Sequence, residues 1–191
     1  MIVMIELVAN ASLPTKYGKF AIHGFREGGK EHVALVSGDV KDKRALVRIH
    51  SKCLTGDTFN SMRCDCNAQL RKSLELIGSN AGVLIYLDQE GRGIGLLNKL
   101  RAYELQDKGM DIAETNEHLG FGYDERDYSA AAEILKFFGL TKITLLTNNP
   151  DKMVMLERSG IDVERRPLVT QPNEHNSRYM ETKRTKAGHL L

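Results

Sequence analysis

Apolar residues recur along this 191-residue chain at two different spacings. Alternating or continuous runs, HVALVSG from His32 and ALVRIH from Ala45, predict β-strands separated by Gly- and Lys-rich turns, and the opening MIVMIELVAN predicts a first strand before them. Near Asn67 the period changes. In AQLRKSLELIG the residues Leu70, Leu74 and Ile77 repeat at helical spacing, with Gly78 as the residue just past the helix end. GVLIYLDQ predicts a buried strand, and Leu96, Leu97, Leu100, Tyr103 and Leu105 predict an amphipathic helix ended by Gly109. A helix in SAAAEILKFFG closing at Gly139, a strand in KITLLT, and a helix in NNPDKMVMLERSG with Asn149 as N-cap and Pro150 at its first position complete the pattern. Strands first, then strands alternating with helices, predict an α/β or mixed α+β fold.

The length suits a single compact domain over residues 1–191, with a polar, solvated and mobile tail from about 172. No repeat or low-complexity tract interrupts it. An apolar fraction of 41% and a charged fraction of 27% are those of an ordinary soluble protein. The net charge is only +2, with both signs interspersed, which disfavours a polynucleotide partner. No basic region precedes the first apolar residues, and the longest clear apolar run, AGVLIYL, is far short of the roughly 18 residues a membrane helix requires. A cytoplasmic protein without a membrane partner is expected, and in that compartment clustered cysteines point to metal binding or catalysis.

All three cysteines, Cys53, Cys64 and Cys66, lie in one short stretch, CLTGDTFNSMRCDC. Catalytic zinc typically takes three protein ligands and leaves a fourth position to water, so three thiols match an open site. Cys64 and Cys66 can point the same way from an extended segment, while Cys53 returns from a loop after ALVRIH. The alternative is that each is a small buried hydrophobe, against which stand the polar neighbours Thr55, Asp57, Arg63 and Asp65. His50 as a fourth ligand would close the site, and this stays open.

Two glycine-rich stretches resemble phosphate loops only superficially. GFREGGKE has Glu31 where a P-loop needs Ser or Thr and is followed by a strand, and EGRGIG lacks dinucleotide spacing although it sits between a strand and a helix. Asp124, Arg126 and Asp127 in GYDERDY read as a solvated helix start capped by Asp127 or Ser129. Thr147, Asn148 and Asn149 occupy a strand-to-helix handover, which favours anions, and Lys152 in the first helical turn opposes the dipole unless a ligand needs it. Arg48, Arg63, Arg92 and Arg126 lie in or beside these loops and together suit a polyanion such as a nucleoside triphosphate.

RIHSKCLTGD (48–57), RCDC (63–66), QEGRGIGLLNKLRAYELQDKG (89–109), LGFGYDERDY (119–128) and LLTNNPDK (145–152) together resemble GTP cyclohydrolase II, in order and over nearly the whole chain. The resemblance implies a zinc ion, one per subunit, on Cys53, Cys64 and Cys66, and a homodimer. It also implies hydrolysis of GTP to 2,5-diamino-6-ribosylamino-4(3H)-pyrimidinone 5′-phosphate, formate and pyrophosphate, the first step of riboflavin biosynthesis, with Mg2+ accompanying the triphosphate. Zinc lowers the pKa of its water towards about 7 and so supplies a nucleophile for C8 of the purine. By the same resemblance Asp124 is the proton acceptor, Arg126 the nucleophile at the α-phosphate, and Tyr103 a neighbour of the reacting base. A guanidinium of pKa above about 12 suits electrostatic stabilisation better than attack. Arg48, Gln69, Glu90, Gly91, Arg92, Thr147 and Lys152 match nucleotide-contacting positions. Two positions depart: Lys52 stands where the family usually has Glu, and Ile112 where it usually has Thr, and neither role is carried over. Two rivals follow, a paralogue acting on another purine nucleotide or on part of the reaction, and a zinc protein that binds nucleotide without turnover.

Overall fold

The protein is seen in a computed structural model that describes residues 4–41, 43–122 and 124–177, together with 181, 188 and 190. The side chain of Ile112 and most of the expected tail lie outside the described residues.

Seven strands form one sheet: β1 (Glu6–Thr15), β2 (Gly18–Glu27), β3 (Lys30–Ser37), β4 (Ala45–Ser51), β5 (Gly82–Leu87), β6 (Lys142–Leu146) and β7 (Asp162–Arg166), in the order β1-β2-β3-β5-β4-β6-β7. The first three make an antiparallel meander that pairs antiparallel with β5, and β5, β4, β6 and β7 run parallel. This is the expected mixed α/β architecture. GFREGGKE is not a loop at all: Glu27 pairs with Lys30 across a two-residue turn, where Gly28 takes a positive φ of 54°.

Among the described residues, five α-helices connect and cover the sheet: α1 (Cys66–Gly78), α2 (Leu96–Asp107), α3 (Ile112–His118), α4 (Ser129–Phe137) and α5 (Pro150–Arg158). Strands β4 and β5 are buried almost throughout because both faces are covered, as parallel strands require. Val47 and Ile49 turn to one face, where Ile134, Leu135 and Leu156 of α4 and α5 complete the main core. Leu46 turns to the other, where it joins Leu84, Leu146 and Ile77 of α1. Alternation then places Arg48 and His50 on the α1 face, both buried beneath the open end of the sheet.

Gly78 is not the residue past the helix end; it closes α1, and a Cβ there would stand 1.9 Å from the carbonyl oxygen of Tyr17. The chain needs glycine at this point for a close approach of the β1–β2 turn, not for a positive φ. Asn149 caps α5 as expected, its Oδ1 accepting from Asp151 N at 2.9 Å.

Helix α2 forms over the expected residues with a different face inward. Lys99 and Ala102 are buried, whereas Leu97 is 72% and Leu100 44% exposed. The inward face borders a polar cleft, so a lysine with ion and hydrogen-bond partners fits there and leucine does not.

Candidate active site

The connection from β5 crosses over β4 to reach β6, so β4, β5 and β6 present their carboxyl ends at a topological switch point, where open α/β sheets bind ligands. Cys53 follows β4, Glu90–Arg92 follow β5, and Thr147–Lys152 follow β6. Every residue given a site role from sequence lines the one cleft they surround, of about 330 Å³.

The three thiols converge on one wall of it, their sulfurs all within 4.8 Å of one another and Cys53 Sγ 3.9 Å from Cys64 Sγ. Zn–S bonds of about 2.3 Å in a tetrahedron place sulfurs about 3.8 Å apart, so the cluster fits zinc. The local path differs from the extended segment expected of Cys64 and Cys66: Cys64 sits in a bend and Cys66 opens α1. Cys53 precedes a single wide turn, Leu54–Thr58, wrapped around the sulfurs. Gly56 is the reason that turn can close, since a Cβ there would stand 2.8 Å from Cys64 Sγ and 3.1 Å from Cys53 Sγ.

Sulfur chemistry supports the same reading. Hydrogen bonds from the Cys64 and Cys66 thiols, against the effect of burial and with help from Lys99, hold Cys53 far below the usual thiol range. Bonding to Cys53 in turn pushes Cys64 up to about 11 and Cys66 well above its ordinary value. One thiolate forms readily and two more beside it are resisted, a conflict that a divalent cation resolves.

His50 is not turned to the sulfurs as a fourth ligand. Its Nε2 meets both carboxylate oxygens of Asp57, at 3.0 and 3.1 Å, and burial holds its pKa below the usual value. Asp57 also accepts from Tyr86 Oη at 2.8 Å and from Cys53 N at 3.0 Å, so this buried carboxylate fixes the start of the cysteine turn.

Cations line the same cleft. Arg48 is buried and pushed down to about 10, chiefly by desolvation, with Asp65 opposing. It stays charged at neutral pH, donating to Leu146 O at 2.8 Å and to Gln69 Oε1 at 2.5 Å, while Gln69 donates to Asp65. Lys152 is buried at the start of α5, donates to Ile49 O at 2.8 Å and lies over the ring of Tyr128. Thr147 Oγ1 accepts from Asn149 N at 3.0 Å and shapes the same turn. Asp124 and Arg126 form a two-pronged ion pair, with Arg126 Nε donating to Asp124 Oδ1 at 2.8 Å. Burial raises the Asp124 pKa, but the Arg126 bonds outweigh it, leaving the carboxylate below its ordinary value. Gln89 Oε1 accepts from Asp127 N, and exposed Asp127 holds the start of α4 by accepting from Ser129 N at 2.9 Å, as the sequence suggested.

Tyr103 reaches the sulfur wall from α2, with its hydroxyl 3.4 Å from Thr55 Oγ1 and the Arg63 guanidinium 4.4 Å over its ring. Burial raises its pKa, so it keeps its proton. One residue here escaped the sequence reading. Lys99, one turn before Tyr103 on the same helical face, donates to Cys53 Sγ at 3.1 Å and to Glu90 Oε1 at 2.8 Å. Its spacing of four from Tyr103 was the available signal. Lys52, one of the two departures, directs its ammonium to Asp88 Oδ1 at 3.0 Å.

An α/β sheet with its cleft at the carboxyl ends of parallel strands, lined by buried cations and three clustered thiols, defines an enzyme suited to a phosphorylated ligand and a metal ion. Sequence comparison narrows the class: the GTP cyclohydrolase II family model matches residues 6–167, and the chain belongs to that family. It is 53% identical to the GTP cyclohydrolase-2 of Buchnera aphidicola subsp. Acyrthosiphon pisum, covering 98% of this chain and 99% of that protein. It is 51% identical to a riboflavin biosynthesis protein of Vibrio vulnificus, covering 98% of this chain but about half, 53%, of that longer protein. In fold alone it is similar to RibBX, a two domain 3,4-dihydroxy-2-butanone 4-phosphate synthase from A. baumannii, with a TM-score of 0.52 at 23% identity over 87% of this chain and 40% of that one.

Proposed function

We propose that this cleft hydrolyses GTP to 2,5-diamino-6-ribosylamino-4(3H)-pyrimidinone 5′-phosphate, formate and pyrophosphate, the entry to riboflavin biosynthesis. The observation that carries it is three sulfurs within 4.8 Å of one another in the same small cleft as buried Arg48 and Lys152. Zinc on Cys53, Cys64 and Cys66, one per subunit, supplies an activated water at neutral pH when bound.

The chain's own groups divide the remaining tasks. Arg48, Arg92 and Lys152 neutralise the triphosphate, which arrives with Mg2+, and Gln69, Gly91 and Thr147 shape the pocket around the nucleotide. Tyr103, protonated, offers a hydrogen bond to the reacting base. Arg126 serves the α-phosphate as a fixed cation, because a guanidinium paired with a carboxylate is charged and is no nucleophile. When phosphate draws Arg126 away, Asp124 loses the partner that holds its pKa down and becomes the better proton acceptor. Glu90 acts from behind: its Oε2 accepts from Leu54 N at 2.6 Å and its Oε1 from Gly91 N at 3.0 Å, tying the cysteine turn to the loop after β5. The protein works as a cytoplasmic homodimer.

Lys52 pairs with Asp88 at 3.0 Å, so the charge that this departing position adds is balanced locally and does not count against GTP. Among the described residues no helix is long and apolar enough to cross a membrane. Chelator-treated protein is expected to release no formate and to regain activity with one equivalent of zinc, and Cys64→Ser is expected to lose both metal and turnover. Full activity in metal-free protein, or in Cys64→Ser without zinc, overturns the proposal.

A further inference from the structure

Lys99 is a cation on the wall of a cleft that receives polyanions, and its first reading is a phosphate ligand. The geometry points elsewhere. An ammonium has three protons and accepts nothing. All three of those on Lys99 are engaged: Cys53 Sγ at 3.1 Å, Thr55 Oγ1 at 2.8 Å and Glu90 Oε1 at 2.8 Å. Both side chains border the cleft but are nearly buried, Lys99 at 10% exposed and Glu90 at 7%, and the ammonium has no proton left for a phosphate.

We propose that Lys99 is a positioning residue for the metal centre, balancing the charge of its sulfur ligands through Cys53 and aligning Tyr103 through Thr55. Three thiolates around a dication carry a net charge of about −1, which a buried site must offset. The Lys99 ammonium is the cation seen in contact with a cysteine sulfur, and its hydrogen bond draws electron density from that sulfur. A thiolate that donates less leaves a bound metal a stronger Lewis acid.

The second arm runs through Thr55. The Thr55 oxygen accepts from the ammonium, and its own proton has two neighbours, Tyr103 Oη at 3.4 Å and Cys53 Sγ at 3.8 Å. Donation to Tyr103 is the arrangement the proposal requires, and it leaves the Tyr103 proton for the substrate. Glu90 completes the unit from the other side. It fixes Lys99 and holds the Leu54 amide next to Cys53, so the position that resembles a nucleotide contact acts through the sulfur wall.

The proposal rests on the three-thiol reading, and one experiment separates the two. Wild type, Lys99→Met and Lys99→Arg are loaded with cobalt(II), and the sulfur-to-metal charge-transfer band is recorded. Zinc affinity is measured by competition with a chromophoric chelator, and kcat and KM for GTP are measured on the zinc forms. Lys99→Met is expected to shift the band to lower energy, weaken zinc by about tenfold or more and lower kcat, with KM changed less than twofold. Lys99→Arg is expected to restore the band position. Should Lys99→Met fail to fold, Lys99→Gln is expected to give the same red shift. Thr55→Val is expected to lower kcat with the band unmoved. A band and zinc affinity in Lys99→Met equal to wild type, with KM raised about tenfold, make Lys99 a phosphate ligand and overturn the proposal. Wild type that takes up no cobalt overturns the three-thiol reading itself.

Discussion

Replacing Gly56 by alanine places one methyl group in the middle of the sulfur cluster. The added carbon would stand 2.8 Å from Cys64 Sγ, 3.0 Å from Cys66 Cβ and 3.1 Å from Cys53 Sγ. Cys66 is fixed by α1, Cys53 by the bond from its amide to Asp57 and by Lys99 on its sulfur, whereas Cys64 sits in a bend. The strain is relieved by opening the turn or by turning Cys64 Sγ aside, and either separates Cys64 from Cys53. Overpacking of this kind costs about 1–3 kcal/mol. If it falls on the metal-binding geometry, zinc affinity drops by roughly 5- to 150-fold, at 1.4 kcal/mol per factor of ten. The assay is chelator competition, beside thermal unfolding of the metal-free protein. Gly29→Ala is the control: that glycine is in the β2–β3 turn, has nothing within 4 Å of its virtual Cβ and is expected to leave both readings unchanged. Gly56→Ala with wild-type zinc affinity would refute the claim that the turn is closed tightly around a metal-binding cluster.

Other substitutions probe the frame and the cleft. Gly78→Ala is expected to lower the urea midpoint by the equivalent of about 1–3 kcal/mol or more, because its Cβ would overlap the Tyr17 carbonyl; an unchanged midpoint contradicts the close approach. Asp57→Asn leaves one of three buried donors facing an amide, a loss of about 1–3 kcal/mol in urea unfolding that a wild-type curve would rule out. Asp124 has a folded-state pKa below its ordinary 3.8, so its contribution to stability is complete above that value and is lost as pH falls through the lower, folded-state one. Asp124→Asn is accordingly expected to be less stable than wild type at pH 7 and to converge with it once the Asp124 carboxylate is protonated in the folded state, and a gap that stays constant with pH argues against the Arg126 pairing.

Much of the frame was legible because its signals are local. Apolar β4 and β5, and the Asn149-Pro150 start of α5, depend on short-range pattern and appear where expected. Strand β7 was not legible: DVERR carries four charged residues in five and reads as surface, yet it pairs along the whole of β6 as an edge strand. Strand β2 was hidden by Gly24 and by the glycines of its hairpin, and α3 is short. In the site, the cysteine spacing and the arginines in or beside the loops pointed to the cleft, whereas Gln69 of α1, Gly91 and Tyr103 of α2 were reached through the family resemblance. The inward face of α2 was not, because burying Lys99 in place of Leu97 depends on Glu90 and Cys53, partners remote in sequence. The metal geometry likewise depends on Gly56 and on a bend at Cys64, neither of which a spacing of cysteines reveals.

Product analysis tests the central claim most directly. Zinc-loaded protein is incubated with GTP and Mg2+, products are identified by mass spectrometry, and formate and pyrophosphate are assayed in parallel. The expected result is diaminopyrimidine monophosphate with formate and pyrophosphate released together. Pyrophosphate with the purine ring intact, or no product from GTP, contradicts the account.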